Sequence, residues 1–384
     1  MKREANEREL EALRKLFLRS ETEIINEIAS LRQRGLADYH KVAALQRVQE
    51  ILKEMQEESW KYVPQMIEKM FYARVPETRK LATTARQALL GYQNALKLSS
   101  AQMDAVQLLT LNLMEEINEA SETAYKETEH ALIGRVEKDI YRRTALQQTQ
   151  LAGAKGEGMA KAFRKMVAEL QRDGVTGFTD RAGRKWNLHS YCNMACRTTS
   201  AQADTAAVLT ADPEHDLYKI LPNGTTCKLC AAAQGRVYSK SGTNPNFPPL
   251  SSVFGKVDPL GADDLSNTYW NIHPNCLHSI VPWTPTDEKE EQDASDFSSL
   301  EKRPLDVDYR TKKQIEQYRA KERSRRRYLA DYKQFEKYRL TIPEQMPKTF
   351  DTFLKHKQAD DEKYQKWMSA YRDANKGGGD DESG

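Results

Sequence analysis

Two short clusters of thiols and imidazoles carry the most distinctive chemistry in the sequence. One is Cys227-Lys-Leu-Cys230, the other His273-Pro-Asn-Cys276-Leu-His278. A C-x-x-C turn lets two thiolates converge on one ion, and H-x-x-C supplies two more ligands from a second loop. Four nitrogen and sulfur donors in a tetrahedron make a structural zinc site. The predicted set is Cys227, Cys230, His273 and Cys276, with zinc as a structural cofactor. His278 competes for the fourth position: two residues past Cys276 on an extended segment, it points to the same side. The proline after His273 and the Asn-Ile before it place that histidine in a turn, which favours it; His278 stays the alternative. About 40 residues separate the two halves, so the ion would clasp distant segments rather than centre a compact finger. The segment between them is rich in turn formers (Ser241-Gly-Thr-Asn-Pro-Asn-Phe-Pro-Pro-Leu250). Packing alone is expected to fix it poorly, and zinc binding, worth on the order of 10 kcal/mol, would hold its ends. Four such ligands leave no open position for a catalytic water. No catalytic residue is assigned, and the chain is not expected to be an enzyme; a zinc-stabilised nucleic-acid-binding protein is the alternative reading, ahead of a zinc-dependent or transferase-type enzyme.

A second feature is electrostatic. Residues 310–339 hold twelve Lys/Arg against four Asp/Glu, including Arg323, Arg325, Arg326, Arg327 and Lys333. Phosphates would attract such a segment, more weakly as salt rises, and the interleaved tyrosines 318, 328, 332 and 338 could stack on bases. The competing reading is structural: Tyr328, Leu329, Tyr332 and Phe335 have helical spacing and would face another helix.

The elements that must position these groups are mostly helical. Leu10, Leu13, Phe17, Ile24, Ile28 and Leu31 recur at three- and four-residue steps. Leu45, Val48, Leu52 and Met55 form a second stripe; Val106, Leu109, Leu113 and Ile117 form a third. Pro64 and Pro76 are expected to kink or end the second helix. Gly153, Gly156 and Gly158 read as a hinge before a short helix at 160–170. Residues 178–188 read as a β-hairpin, with a turn containing Asp180 and Gly183. A helix over about 189–209 follows, where Cys192 and Cys196 sit on a face of small residues and read as close-packing groups rather than ligands. Short strands and loops run on to Trp283. The acidic stretch Asp287-Glu-Lys-Glu-Glu-Gln-Asp-Ala-Ser-Asp296 reads as a linker. Pro343 and Pro347 end the basic helix. An amphipathic piece (Phe350, Phe353, Leu354, Tyr364, Trp367, Met368, Tyr371) precedes a Gly/Asp tail expected to be disordered.

The fold class is therefore α+β: a long, mainly helical N-terminal region (1–172), a small zinc-clasped α+β domain (173–285), an acidic linker (286–308), a basic helical extension (309–375) and a tail (376–384). Composition agrees. The 384 residues are 39% hydrophobic and 30% charged, too polar for a membrane protein and suited to long solvent-facing helices. A net charge of +3 confines any nucleic-acid surface to a local patch. No apolar run approaches the ~18 residues of a membrane span, and the N-terminus lacks the core of a signal peptide, so the chain reads as soluble and unexported. Five cysteines make no disulfide framework.

At the Cys/His clusters the sequence resembles a family. Cys227-Lys-Leu-Cys230, Gln234-Gly235-Arg-Val-Tyr-Ser239, Ser241-Gly242 and His273-Pro-Asn-Cys276 are similar to the minor capsid (minor head) proteins of tailed bacteriophages. The likeness is closest to the minor capsid protein 2 group and the related Mu protein F-like head-morphogenesis domain. Leu277 stands where that family usually has Arg. Tyr191-Cys-Asn-Met-Ala-Cys-Arg197-Thr198 resembles the helix carrying the family's Arg-Thr pair, and Arg197, Thr198 and Gly235 are read as structural motif positions. The resemblance covers about 174–285. It implies a virion component assembled in the host cytoplasm. Its partners would be portal and capsid proteins, with non-specific contact to phage DNA, and it would act in head assembly, DNA packaging or DNA delivery. No effector domain is expected after residue 285.

Overall fold

The structure, a computed structural model, describes residues 6–34, 38–82, 98–133, 177–179, 185–254, 272, 273, 276 and 278–376. The predicted hinge at Gly153–Gly158, the helix after it and the tail beyond Lys376 lie outside these residues.

Three long helices come first: α1 (Glu7–Arg34), α2 (Asp38–Ala82) and α3 (Ser100–Ile133). The predicted stripes account for their inward faces. Leu13, Phe17, Ile24, Ile28 and Leu31 are buried, as are Leu45, Val48, Leu52 and Met55, and Val106, Leu109, Leu113 and Ile117. α2 continues through both Pro64 and Pro76, so neither ends it. A proline inside a helix costs about 3 kcal/mol. Val63, Met66, Ile67, Met70, Phe71 and Val75 are all buried around the two prolines, and several fully buried apolar side chains at about 1.5–3 kcal/mol each outweigh that cost.

Strands β1 (Gly177–Thr179) and β2 (Lys185–Asn187) pair antiparallel with Phe178 opposite Trp186, which is the predicted hairpin. Helix α4 (Leu188–Ala211) follows directly. Its small-residue face is interior: Cys192, Ala195, Cys196, Ala203 and Ala207 are buried, and burial pushes the Cys196 thiol well above its ordinary pKa. That thiol is an inert packing group.

Next comes a three-stranded antiparallel sheet in the order β4-β3-β5, made of β3 (Leu217–Ile220), β4 (Val237–Ser239) and β5 (Ile280–Pro282). Tyr218 lies opposite Tyr238 on one side and Pro282 on the other. Pro282 is tolerated because β5 is an edge strand, where a missing amide breaks no ladder. One turn and a half of helix, α5 (Lys228–Ala233), separates β3 from β4. Four further helices complete the chain: α6 (Glu288–Ser298), α7 (Lys312–Thr341), α8 (Phe350–Ala359) and α9 (Glu362–Lys376). The acidic stretch expected as a linker is thus largely the helix α6, capped by the Asp287 carboxylate on the Glu290 amide at 2.7 Å. Its first turn carries Glu288, Glu290 and Glu291, the charge that a helix N-terminus favours. α7 opens with a reciprocal box in which Thr311 and Gln314 each accept the other's amide.

The chain divides into two compact units. One comprises 1–13, 60–116 and 193–323; the other 14–59, 117–192 and 324–384. The second unit closes on aromatic rings. Phe335, Phe350 and Phe353 are essentially fully buried, Phe353 stacks on Trp367, and Tyr338 stacks on Tyr371. This is the apolar face predicted for 350–371. Tyr332 and Phe335 of α7, both fully buried, likewise serve packing. In the same unit the buried Glu21 carboxylate accepts from the His189 amide and faces its imidazole Nδ1.

The first unit joins its helices to its sheet through a buried ion pair. Arg74 Nε of α2 donates to Asp204 Oδ1 of α4 at 2.5 Å, and Arg74 Nη2 donates to the Ile280 carbonyl of β5 at 3.2 Å. Both side chains are almost wholly enclosed. Removing one member of such a pair strands the other charge and typically costs about 3–5 kcal/mol. Asp204→Asn is therefore expected to lower the unfolding free energy by about 3 kcal/mol or more in urea titrations. Glu57→Gln, which removes an exposed partner of Lys53, should change it little.

Candidate metal centre

The C-x-x-C half is built into the start of α5. Cys227 is the N-cap, in extended backbone, and its Sγ accepts the Cys230 amide at 3.4 Å. A cap that accepts from three residues on brings the side chains of both cysteines to the same end of one turn. The second half approaches through a turn in which the Cys276 amide donates to the His273 carbonyl at 3.0 Å.

Two overlapping triads result: Cys227, Cys230 and His273, and Cys230, Cys276 and His278. Within each, the three ligand atoms lie within 4.8 Å of one another. His273 Nε2 is 3.1 Å from Cys227 Sγ and 3.0 Å from Cys230 Sγ. Cys230 Sγ is 3.6 Å from Cys276 Sγ, and Cys276 Sγ is 3.5 Å from His278 Nδ1. A tetrahedron with zinc–sulfur bonds near 2.3 Å and zinc–nitrogen bonds near 2.05 Å has edges of about 3.5–3.8 Å. The sulfur–sulfur edge matches, and the sulfur–nitrogen pairs need only move apart slightly. Cys230 is the shared corner. All five predicted residues, the alternative His278 included, belong to this cluster, and its donor set suits a soft divalent ion.

Electrostatics sharpen the picture. Cys227 is held down to about 4, first by its hydrogen bond with Cys230 and then by His273. Cys276 is likewise held well below the ordinary thiol value, first by Cys230 and then by His278. Cys230 is pushed far up by the two sulfurs flanking it and by burial. A cation taken up by all three sulfurs needs all three as thiolates, so affinity falls as pH falls.

Gln234, just after α5, stands out in the sequence only as part of a motif, yet it orients a ligand. Its Oε1 accepts the Asn223 amide at 3.0 Å and lies 3.1 Å from His278 Nε2. An oxygen there acts as acceptor, so Nε2 donates to it and the ring is held with Nδ1 facing Cys276 Sγ. Arg310 is a further neighbour that the sequence does not single out. It donates to the Thr226 carbonyl at 3.2 Å, beside Cys227, and its fork is held by Asp308 at 2.8–2.9 Å. No spacing rule connects residue 310 with residue 227; only the folded chain does.

The expectation that packing would fix the intervening loop poorly fails for its first part. Phe247, Leu250, Val253 and Phe254 are buried, and the last three share a core with Tyr218, Tyr238, Cys230, Cys276 and Ile280. The reason is a single 3-10 turn, Leu250–Ser252, which gathers apolar residues that show no periodicity in sequence.

The motif positions away from the cluster have structural surroundings. Gly235 has φ +81, the left-handed region that calls for glycine, and it lies against the Phe297 ring. Thr198 Oγ1 donates to the Met194 carbonyl one turn back at 2.9 Å. Arg197 is exposed on the same helix. Arg323, Arg325, Arg326, Arg327 and Lys333 are all exposed along α7.

No helix among the described residues is long and apolar enough to cross a membrane. No curated protein and no solved structure matches the chain. The family described as phage minor capsid protein 2 does match, over residues 35–346. That span contains the sheet, both halves of the Cys/His cluster and the basic helix, and accords with the resemblance of the motifs. The chain belongs to the phage minor capsid protein 2 family, and so is a structural component of the phage virion.

Proposed function

We propose that the protein is a non-enzymatic, portal-associated minor head protein, acting in head assembly, DNA packaging or DNA delivery. In it, one structural zinc ion fixes the sheet domain that contacts its partners. The observation that carries this reading is the convergence of Cys227, Cys230, His273 and Cys276, from two segments far apart in sequence, around a single shared sulfur. Zinc, when bound, supplies charge neutralisation and cross-linking. Cys227 and Cys230 would hold it from the α5 cap, and His273 and Cys276 from the second loop. His278, fixed by Gln234, is the alternative fourth ligand. The domain that it closes runs on past residue 285 through α6 to about residue 311, because the Val237 amide of β4 donates to Ser298 Oγ at 2.9 Å.

A second surface has its own support. Arg323, Arg325, Arg326 and Arg327 are exposed and make no ion pair among the described residues. Unpaired arginines on a solvated helix are free to neutralise phosphates, and contact with packaged DNA is the reading they favour.

Metal analysis of purified protein should find one zinc per chain, lost in Cys227→Ser and in His273→Ala and retained in His278→Ala. Retention in His273→Ala with loss in His278→Ala would reassign the fourth ligand, and metal-free wild type would remove the clasp. Co-sedimentation with the portal or procapsid of the same phage tests the virion role; a protein that stays in the supernatant counts against portal association. Replacing the four arginines by Gln should weaken DNA retention on filters. It should also flatten the dependence of log affinity on log salt by about 0.9 for each phosphate that is no longer neutralised.

A further inference from the structure

Arg236, the residue that precedes β4, is among the largest fully buried side chains of the protein, with 0% exposure. Its Nε, Nη1 and Nη2 all lack a hydrogen-bond partner. A guanidinium carries five donors and a charge that does not titrate away at physiological pH. Burying it with nothing to accept from it is among the most costly arrangements a fold can contain.

The other enclosed arginines of this chain are treated differently. Arg74 has Asp204, Arg310 has Asp308, and Arg339 has the Asn26 side-chain oxygen and the Pro343 carbonyl. Arg236 has instead a second arginine. The Arg303 guanidinium lies 4.3 Å from the centroid of the Tyr309 ring, and the Arg236 guanidinium is 5.9 Å from that same ring. Arg303 is also stacked on Phe297 at 4.3 Å, and its own Nε is buried without a partner. Ring faces attract cations but offer no acceptor in the plane of a guanidinium. Burial and the like charge of Arg303 both hold the Arg236 guanidinium below its ordinary range, and the Tyr238 and Tyr309 phenols offset this only in part. Two cations thus lie on one aromatic ring, and apart from the Tyr309 phenol beside Arg236 no described residue offers an acceptor to the Arg236 nitrogens or the Arg303 Nε.

We propose that Arg236 and Arg303 hold one small oxyanion of the phosphate or sulfate class, enclosed between the start of β4 and the segment 299–311. The donor type sets the chemistry, since the planar fork of arginine matches the oxygen spacing of such ions. Burial sets the size: a side chain with no exposed surface cannot meet a DNA backbone or the surface of another protein, whereas a free ion can be trapped as the segment closes. Charge sets the valence, because water would satisfy the donors but leave two like charges unneutralised. The ion would act as a structural anion, pinning 299–311 to the sheet on the side that also bears Phe297 and Gly235.

The test is thermal unfolding of the full-length, metal-loaded protein in chloride buffer at fixed ionic strength, titrated with inorganic phosphate or sulfate. Wild type should show a saturable rise in Tm. It should reach about 5 °C when the ion is roughly a hundredfold above its dissociation constant. Arg236→Met, which fills the space without donors, should abolish the saturable part and leave only the shallow, unsaturating rise that excluded salts give every protein. If that variant does not fold, Arg303→Gln should shift the midpoint of the titration to higher anion concentration. A wild-type protein indifferent to phosphate and sulfate at matched ionic strength overturns the proposal, as does an undiminished saturable rise in the Met variant. Zinc content measured on the same samples keeps the two sites distinct: loss of the anion response with metal retained concerns only the arginines.

Discussion

The crowding of the Cys227 and Cys276 sulfurs around that of Cys230 is the strongest constraint on the sheet domain. Such an arrangement is poor in isolation. Cys227 and Cys276 are drawn toward the thiolate, while their sulfurs and burial push Cys230 the other way. Like charges this close repel, and burial of Cys230 and Cys276 removes the water that would soften the repulsion. A divalent cation reverses the sign of every term at once, which is why clusters of this kind fold around metal rather than beside it. A zinc ion with three thiolates and one imidazole carries a net charge of about −1, and Arg310 stands next to Cys227 through its bond to Thr226. Asp308 holds that arginine in place and is itself drawn down to about 2 by it. The pair therefore supplies orientation more than net charge.

The same constraint, that an enclosed charge must find its opposite, recurs through the chain. In the first unit Arg74 and Asp204 fasten helix to helix and, through the Ile280 carbonyl, helix to sheet. In the second, Glu21 meets both the amide and the ring of His189 at the start of α4. Apolar packing supplies most of the stabilisation in both units, since the stripes of α1 to α3 are long and buried. It is poor at register, however: a helix can slide by one turn and still bury leucines. A buried ion pair cannot slide without stranding two charges, so a few such pairs specify which turn meets which.

Periodic features were legible in the sequence because periodicity is itself the physical signal. The stripes of α1 to α3, the hairpin with Phe178 opposite Trp186, and the small-residue face carrying Cys192 and Cys196 all follow from repeats of 3.6 or 2 residues. The Cys/His cluster was legible for another reason, the residue types and the C-x-x-C and H-x-x-C spacing, and the structure brings those residues together. What escaped was non-periodic or long-range. Pro64 and Pro76 read as breakers because a local rule does not weigh the six buried residues that surround them. The 287–296 run read as a linker because acidic residues in a first helical turn and acidic residues in a disordered spacer have the same composition; the Asp287 cap distinguishes them only in three dimensions. The burial of Leu250, Val253 and Phe254 rests on one 3-10 turn. The roles of Gln234 and Arg310 rest on partners 44 and 84 residues away.

α6 is tied to the sheet, since the Val237 amide of β4 donates to Ser298 Oγ at 2.9 Å. The Phe297 ring of the same helix packs beside Gly235 at the start of β4 and also bears Arg303, whose guanidinium lies over Tyr309 as well. The segment that follows the helix reaches Arg310, which touches the loop preceding Cys227. One stretch of chain therefore visits the start of β4 and the metal cluster in succession, and then enters the basic helix at Thr311. The four exposed arginines of that helix begin only about twelve residues later. Whatever fixes 299–311 therefore also fixes where the basic helix starts.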